Sequence, residues 1–438
     1  MKVTIDGIGR QRLSRRALTA GLAVAALAPF AQLARAESRG ADETVTKKNF
    51  NVQSTVAPTD TEVIPADKVE SPMLSARSEM MMKDAIARYR TIASQGGWQQ
   101  LPRMRTLVLK SKGSGVAALR QRLAAEGFIT KESAAGDYFD EGVQTAVQRF
   151  QQTNGIRPTG KVDDETQAAL NIPVEKRIAT LEANVPRVVE YAKNLGNRYI
   201  VVNVPATQLE AVENGSVRSR HNVIAGKIDR PTPVVESKIE EINFNPYWNA
   251  PVSIVEKDIL PELRRGTAIL TKLNIKVYDG YQGPEVDPKT IDWKTVAPDR
   301  YHFRQEPGED NAMASVKINF KNPYNVYMHD TPTKQLFTQA DRYFSSGCVR
   351  VDKIPILVNW ILNGQDGWND QRIADIAKSK ERLDVQVAEG PQLRFAYLTA
   401  WATADGLVHF RDDVYNLDGT GFVTGQPGGD QAQPASAG

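Results

Sequence analysis

The chain has 438 residues, 41% of them hydrophobic and 24% charged, which is typical of a globular protein with two to three domains. The formal net charge is +3, but six of the 55 basic residues and one of the 52 acidic residues lie within 1–36, so the remainder carries −2. This near-neutral body gives no electrostatic reason to expect nucleic-acid binding. The single cysteine excludes an intramolecular disulfide, and four histidines leave little material for a zinc site. We therefore expect no metal and no cofactor.

The N-terminus has the pattern of an export signal. A basic run at 10–16 precedes the apolar stretch 17–28, and Ala34-Arg35-Ala36 supplies a small-residue cleavage pattern. The apolar stretch is shorter than the ~20 residues that a membrane-spanning helix needs. The Arg15-Arg16 pair resembles a twin-arginine signal. We predict a signal over 1–36, a periplasmic location reached by the twin-arginine or general secretory route, and no membrane span after cleavage. A retained basic helix and an uncleaved anchor are the alternatives.

The next segments are predicted to connect and support the rest of the chain. Residues 37–75 are polar and contain several prolines, which favours a linker. Residues 76–106 and 173–197 are predicted to form scaffold helices on either side of a compact unit.

That compact unit, residues 107–172, is predicted to contain three short amphipathic helices. Asp140 opens the second helix, and Asp163 or Asp164 opens the third. A bundle of this size has too few titratable groups to be an enzyme by itself. The stretch from Tyr138 to Thr166 resembles a peptidoglycan-binding domain, and the alternative is a generic helical spacer.

From Tyr199 onward the apolar pattern changes to a period of two, which predicts β-strands. We assign 198–372 to a mainly-β, sandwich-like domain with an insertion at about 255–300. A C-terminal extension at 373–424 and a disordered tail at 425–438 follow. The predicted fold class is therefore multidomain α+β, with a small three-helix domain and a helical scaffold segment beside the β domain.

The lone cysteine, Cys348, follows Gly347 in a predicted turn, and His329 lies nineteen residues earlier at the end of a predicted strand. A lone cysteine in an exported protein is either an inert buried residue or a reactive thiol. Gly347 permits a tight turn, and Arg350 adds positive charge. The turn is also expected to precede a helix N-terminus directly, which would favour the thiolate. His329 is a plausible base.

His329-Asp330-Thr331-Pro332 followed by Ser345-Ser346-Gly347-Cys348-Val349-Arg350 resembles the signature of the L,D-transpeptidases, which carry a YkuD-type catalytic domain. Ser346 stands where short members of that family commonly have histidine. The Ser-Ser-Gly-Cys form is similar to the long periplasmic branch, which has a peptidoglycan-binding domain and an inserted capping subdomain. The resemblance covers residues from about 76 to 420.

The resemblance implies roles for the site residues. Cys348 would be the nucleophile and His329 the general acid and base, oriented by the backbone carbonyl of Asp330. The backbone N–H groups of Gly347 and Cys348 would form the oxyanion hole, and Arg350 would position a substrate carboxylate or hold the loop. The residues expected to line the substrate site are Tyr327, Ser345 and Ser346.

The reaction that the resemblance implies is formation of 3→3 cross-links between peptidoglycan stem peptides through a cysteinyl thioester, with release of D-Ala. This would make the chain an acyltransferase of cell-wall biogenesis, with a role in cell shape, and a target of carbapenems. Stem peptides are the expected partners, and an envelope protein is an alternative acceptor. Further alternatives are an L,D-carboxypeptidase and a non-catalytic wall-binding scaffold. A papain-like peptidase is excluded, because its cysteine precedes its histidine in the chain.

Overall fold

The computed structural model describes residues 61–422. The predicted export signal, residues 37–60 of the predicted linker and the predicted disordered tail lie outside the described residues. No helix in the described part is long and apolar enough to cross a membrane. The α-helices, α1 to α10 in chain order, are Ser78–Ser94, Ser114–Ala125, Glu141–Thr153, Asp164–Leu170, Val174–Tyr191, Val252–Ile254, Leu260–Leu263, Ala268–Lys272, Ile354–Leu362 and Asp370–Ser379.

The strands belong mainly to one large mixed sheet. In chain order, β1 to β16 are Glu62–Val63, Arg198–Asn203, Gln208–Glu213, Ser216–Gly226, Val235–Phe244, Trp248–Asn249, Lys276–Tyr278, His302–Gln305, Val316–Phe320, Met328–His329, Tyr343–Ser345, Val349–Val351, Leu383–Gln386, Gln392–Ala396, Ala400–Ala402 and Val408–Phe410.

The large sheet closes on itself. Its order runs β4-β12-β10-β9-β5-β14-β2-β3, and β3 pairs again with β4. The two longest strands each have a neighbour on both sides: β4 pairs with β12 and β3, and β5 pairs with β9 and β14. The side chains that point into the closed sheet form a single apolar core. This confirms the prediction of a β-rich, sandwich-like domain in a mixed α+β chain.

Strand β2 shows why the sequence around Tyr199 is apolar at consecutive positions. Ile200 and Val202 face the core of the closed sheet, whereas Tyr199 and Val201 face a second core that includes α1 and α5. Because both faces of the strand are buried, both sets of alternating side chains are apolar.

Helices α2, α3 and α4 form the small helical unit around an apolar core. Asp140 accepts a hydrogen bond from the Val143 N–H (2.8 Å) at the start of α3. Asp163 accepts one from the Thr166 N–H (3.0 Å) at the start of α4. Both carboxylates satisfy N–H groups that a helix end otherwise leaves unpaired. The predicted caps are confirmed, and Asp163 rather than Asp164 opens the third helix.

A buried charge cluster joins this unit to the scaffold helices. Glu126, at the end of α2, contacts Arg122 (2.6 Å) and Arg177 of α5 (3.7 Å), and the Tyr89 hydroxyl of α1 donates to it (2.7 Å). Burial by itself would raise the pKa of Glu126, but Arg122 and Arg177 hold it at about 2. Trp98 covers the Arg122 guanidinium at 3.7 Å from its ring centroid.

We expect Glu126→Gln to lower the free energy of unfolding by about 3–5 kcal/mol, because two buried guanidinium groups would lose their counter-charge. The matched control is Glu79→Gln, which breaks an exposed i,i+4 pair with Lys83 and should cost less than about 0.5 kcal/mol. Urea unfolding of the two variants checks this. Equal midpoints would contradict the importance of the cluster.

The insertion is a separate packed unit. Strands β6, β8 and β7 form a small sheet, and α6, α7 and α8 pack with it. Its apolar core includes Trp248, Phe303 and Met313, so it draws on residues on both sides of the predicted 255–300. Between α6 and α7 the insertion contains a π-helical turn at Val255–Ile259.

Candidate active site

Strands β10 and β12 run parallel and carry the predicted catalytic residues. His329 on β10 is in register with Arg350 on β12. The Val349 N–H donates to the Tyr327 carbonyl (3.0 Å), which places Cys348 beside Tyr327. Because side chains alternate between the faces of a strand, His329, Arg350, Tyr327 and Cys348 project from one face of the sheet. The chain thus brings His329 and Cys348 together by strand pairing.

Tyr327 connects the thiol, the imidazole and the insertion. Its ring centroid lies 5.4 Å from that of His329. Its side chain packs against the apolar core of the insertion, which includes Trp248. It also lies close enough to Cys348 for each group to influence the pKa of the other. Burial, then the nearby Cys348, raises the pKa of the Tyr327 hydroxyl well above its usual range, so Tyr327 remains a neutral hydrogen-bonding group.

His329 is buried, and one orientation of its ring is fixed. Its Nδ1 atom is 2.6 Å from the carbonyl oxygen of Asp330. A carbonyl can only accept, so Nδ1 carries the proton and Nε2 keeps a lone pair. Burial, followed by the positive charge of Arg350, lowers the pKa of His329 to about 3. The imidazole is therefore neutral near pH 7 and able to accept a proton on Nε2.

Cys348 is half-buried, and burial raises the pKa of its thiol even though Tyr327, Lys317 and Arg350 each act to lower it. Burial thus outweighs the nearby positive charge that was expected to favour the thiolate. The predicted helix N-terminus is not adjacent, because β12 intervenes and the next helix begins only at Ile354. The site rests as a neutral thiol beside a neutral imidazole.

The loop before Cys348 is held by internal hydrogen bonds. Gly347 has a φ of 110°, a conformation that favours glycine. Its N–H donates to the Ser345 hydroxyl (3.2 Å), and that hydroxyl donates to the Cys348 carbonyl (2.5 Å). The Gly347 N–H, which is expected to serve the oxyanion hole, is thus already paired in this structure.

Ser346, the exposed residue of this loop, is tied to the insertion through Arg230. The Arg230 guanidinium donates to the Ser346 hydroxyl (3.0 Å) and to both carboxylate oxygens of Asp258 (2.5 and 2.9 Å). Asp258 belongs to the π-helical turn of the insertion. Arg230 therefore couples the position of the insertion to the loop that carries the thiol.

The segment that carries Arg230 also hydrogen-bonds to the loop that precedes Cys348. The Thr232 hydroxyl donates to the Gly347 carbonyl (2.9 Å) and accepts from the Gly226 N–H (2.8 Å). A side chain at Gly226 would meet the Arg230 carbonyl at 2.2 Å, so this close approach requires glycine. Sequence analysis missed Arg230, Thr232 and Asp258, because no local pattern links them to a loop more than 80 residues away.

We expect Asp258→Asn to raise the rate of Cys348 alkylation by iodoacetamide roughly tenfold, since loss of a charge-assisted contact of 1.5–3 kcal/mol lets the loop open more often. Asp229→Asn is the matched control. Asp229 is exposed, and its contact with the same guanidinium is longer, at 3.8 Å, and therefore weaker. Alkylation can be followed by intact-protein mass. A rate unchanged by Asp258→Asn would contradict the coupling.

The remaining predicted residues occupy the edges of the site. The Asp330 carboxylate does not face His329: it accepts from the Ser315 hydroxyl (2.7 Å) and pairs with Lys334. Arg350 is half-buried and donates to the Thr333 hydroxyl (3.3 Å). Asp330 thus contributes its backbone carbonyl, and Arg350 contributes positive charge beside His329.

The arrangement is suited to acyl transfer by a cysteine. A thiol needs a base to become a nucleophile, and the neutral, oriented imidazole of His329 is such a base. The third member of the arrangement is the Asp330 carbonyl, which holds the ring. Among residues 61–422 there is no group of three or more His, Cys, Asp or Glu side chains placed to hold a metal ion.

Two family models match the chain. Residues 197–373 match the YkuD model, described as an L,D-transpeptidase catalytic domain. Residues 112–170 match a putative peptidoglycan-binding domain. A curated protein of Haemophilus influenzae described as a putative L,D-transpeptidase is 34% identical over 220 residues, which cover 50% of this chain and 44% of that protein. The chain thus spans less than half the length of this curated relative.

Two solved structures are similar at lower identity. An L,D-transpeptidase (residues 123–326) from Xylanimonas cellulosilytica is 18% identical, with a TM-score of 0.22, and the match covers 67% of this chain and 98% of that one. An L,D-transpeptidase from Stackebrandtia nassauensis is 13% identical, with a TM-score of 0.24, over 66% and 94%. Scores this low add nothing to the family matches.

The family matches coincide with the two units described above: the match at 197–373 contains the paired strands that hold His329 and Cys348, and the match at 112–170 contains α2 to α4. The chain accordingly carries a YkuD-type L,D-transpeptidase catalytic domain and a peptidoglycan-binding domain.

Proposed function

We propose that this chain forms 3→3 cross-links between peptidoglycan stem peptides through a thioester on Cys348, with release of D-Ala. The observation that carries the proposal is the pairing of β10 with β12, which places a neutral, oriented imidazole and the single thiol on one face of the sheet. The two matched domains, one a transpeptidase domain and the other a peptidoglycan-binding domain, support peptidoglycan as the substrate polymer.

In the first half-reaction, the Cys348 sulfur attacks the carbonyl between the third stem residue and D-Ala. Nε2 of His329 takes the thiol proton as the bond forms, because both groups are neutral at rest. The imidazolium then gives this proton to the nitrogen of D-Ala as the C–N bond breaks. A thioester remains on Cys348, and the imidazole is neutral again.

In the second half-reaction, the side-chain amine of another stem's third residue attacks the thioester. His329 accepts a proton from the attacking amine and returns it to the departing sulfur, so the free thiol is restored. The burial that keeps His329 unprotonated serves both steps, since an imidazolium could not act as the base in either.

The tetrahedral intermediate of each step needs hydrogen-bond donors for its oxyanion. We assign the Cys348 N–H to this task, and the Gly347 N–H joins it when the Ser345 hydroxyl turns away. Ser345 is thereby a switchable partner of the loop, while Tyr327 and Ser346 line the approach to the thiol. Arg350 holds positive charge beside His329 and keeps its pKa low.

Transfer to an amine is favoured over hydrolysis because the insertion contacts the site at two points. Tyr327 packs against the apolar core of the insertion, and Arg230 joins Ser346 to Asp258. A unit held over the thioester can exclude water and admit a bound acceptor. Hydrolysis would instead make the chain an L,D-carboxypeptidase, and an envelope protein that supplies the amine would make it a protein-anchoring enzyme.

The test is to incubate the chain from Glu37 onward with purified disaccharide-tetrapeptide and to identify the products by mass spectrometry. A dimer that has lost one D-Ala supports cross-linking. A tripeptide monomer as sole product identifies a carboxypeptidase, and no reaction at all supports a wall-binding scaffold.

The proposal also places the enzyme in the periplasm after export, where it acts on cell shape, and makes Cys348 a target of carbapenems.

A further inference from the structure

Lys317 is a cation of the site that the mechanism above does not use. It lies on β9 directly opposite His329, on the side away from Arg350. Register neighbours project from the same face of a sheet, so Lys317 shares the face of the thiol. Its Nζ atom lies 4.5 Å from the centroid of the Tyr327 ring. The ammonium is close enough to Cys348 to act electrostatically on the thiol.

Within residues 61–422, no carboxylate oxygen lies within 4.0 Å of the Lys317 ammonium. The other cations around the thiol do have partners. Arg230 pairs with Asp258, Lys334 pairs with Asp330, and Arg350 donates to Thr333. Lys317 therefore differs from its neighbours in having no anionic or hydrogen-bonding partner among the described residues.

The two acidic residues that influence Lys317 electrostatically are already hydrogen-bonded to other groups. Glu241 accepts hydrogen bonds from Asn319 (3.2 Å) and Gln386 (3.1 Å). Asp384 accepts from Asn243 (2.8 Å) and Arg382 (2.7 Å). Both acids have a favourable electrostatic effect on Lys317 without contacting it. Their engagement leaves the ammonium available on the side that faces Cys348.

A half-buried cation without a counter-ion loses part of its hydration and gains no ion pair in return. Burial indeed lowers the pKa of Lys317, against the opposing effect of Cys348. An anionic group of a bound ligand would supply the missing partner, and an ammonium–carboxylate contact in a partly dehydrated site is strong. Uncharged ligands would leave the ammonium unpaired.

We propose that Lys317 binds a carboxylate of the donor stem peptide that lies next to the scissile carbonyl. The inference rests on the proposed function, because it takes the ligand to be a stem peptide. Two carboxylates meet the description: that of the departing terminal residue, and a side-chain carboxylate on the third residue. Lys317 is in this account a residue that determines donor specificity.

The experiment compares three synthetic donors: a tetrapeptide with free carboxylates, its C-terminal amide, and a version with the third-residue side-chain carboxylate amidated. The rate of acyl-enzyme formation, read by intact-protein mass without acceptor, gives kcat/KM for each. The wild-type enzyme should disfavour one of the two amides by on the order of tenfold to a hundredfold. That amide identifies the carboxylate bound.

Lys317→Gln should remove this discrimination, so that the free acid and the amide react at similar rates, and Lys317→Arg should restore most of it. Lys321→Gln is the matched control, because Lys321 lies just beyond β9, is exposed and pairs with Glu240 (3.0 Å). It should discriminate as the wild type does.

Loss of rate by the same factor on all three donors in Lys317→Gln would overturn the assignment, since the ammonium would then act on the thiol rather than on a carboxylate. Equal rates of the wild type on all three donors would overturn it too. Failure of the wild type to be acylated by any donor would overturn the proposed function, and this inference with it.

Discussion

Replacement of Cys348 by alanine should abolish acyl-enzyme formation and both transfer and hydrolysis of the stem peptide. The chain contains no second cysteine to substitute for it. Loss of a nucleophile costs on the order of a millionfold in rate in a well-studied hydrolase, so the remaining activity should fall below detection. The measurement is product analysis by mass spectrometry after prolonged incubation with disaccharide-tetrapeptide.

The fold of this variant can be checked independently of its chemistry. Binding to purified peptidoglycan, which we assign to residues 112–170, should be retained by Cys348→Ala, because that unit has its own apolar core. Retention of binding without turnover would attribute the loss to the thiol. Any D-Ala release by a variant that binds normally would show that the nucleophile lies elsewhere.

Replacement of His329 by glutamine should lower acylation by about a hundredfold to ten-thousandfold, the range that a general base contributes. Glutamine is uncharged and polar but cannot accept the thiol proton, so the loss would report the missing base. His302→Gln is the matched control. His302 lies in the insertion, where its Nε2 atom contacts Asn249 (2.9 Å).

The pH dependence of acylation gives a second test of His329. Its pKa is lowered to about 3, chiefly by burial, so the base form persists as the pH falls from 8 to about 4. The rate of carbapenem adduct formation should therefore show no fall near pH 6.5. This reaction is preferred because it involves no acceptor amine, which would titrate by itself.

Arg350→Gln refines the same test. Arg350 is the second cause of the low pKa of His329, after burial, so its removal should raise that pKa and move the acid limb of the rate profile to higher pH. A wild-type profile that falls near pH 6.5 would contradict the burial of His329. If the rate of Arg350→Gln falls at the same acidic pH as that of the wild type, the electrostatic effect of Arg350 on His329 is contradicted.

Much of the site could be predicted because its chemistry is carried by neighbours in the sequence. Asp330 follows His329, so its carbonyl reaches the ring without help from the rest of the fold. Asp140 and Asp163 cap helices that begin at the next residue. A single cysteine after Gly347 left one candidate for the proposed nucleophile. Interactions across a few residues are set by local geometry, which a sequence displays directly.

The protonation states could not be predicted in this way. The sequence places Arg350 near Cys348 and therefore favours a thiolate, but the fold buries the thiol, and burial raises its pKa. The sequence also does not show that the Gly347 N–H donates to the Ser345 hydroxyl. Desolvation depends on every segment that packs around a group, and no short pattern records it.

The sequence by itself therefore identified the candidate thiol, its proposed histidine partner and the two units that match known domains. The tertiary structure decided that both groups are neutral, that Arg230 joins Ser346 to the insertion across 116 residues, and that Lys317 stands unpaired among the described residues beside the thiol. The physical reason is the separation along the chain over which each kind of interaction acts. Capping and strand periodicity act between adjacent residues, whereas burial, ion pairing and electrostatic fields depend on segments that only folding brings together.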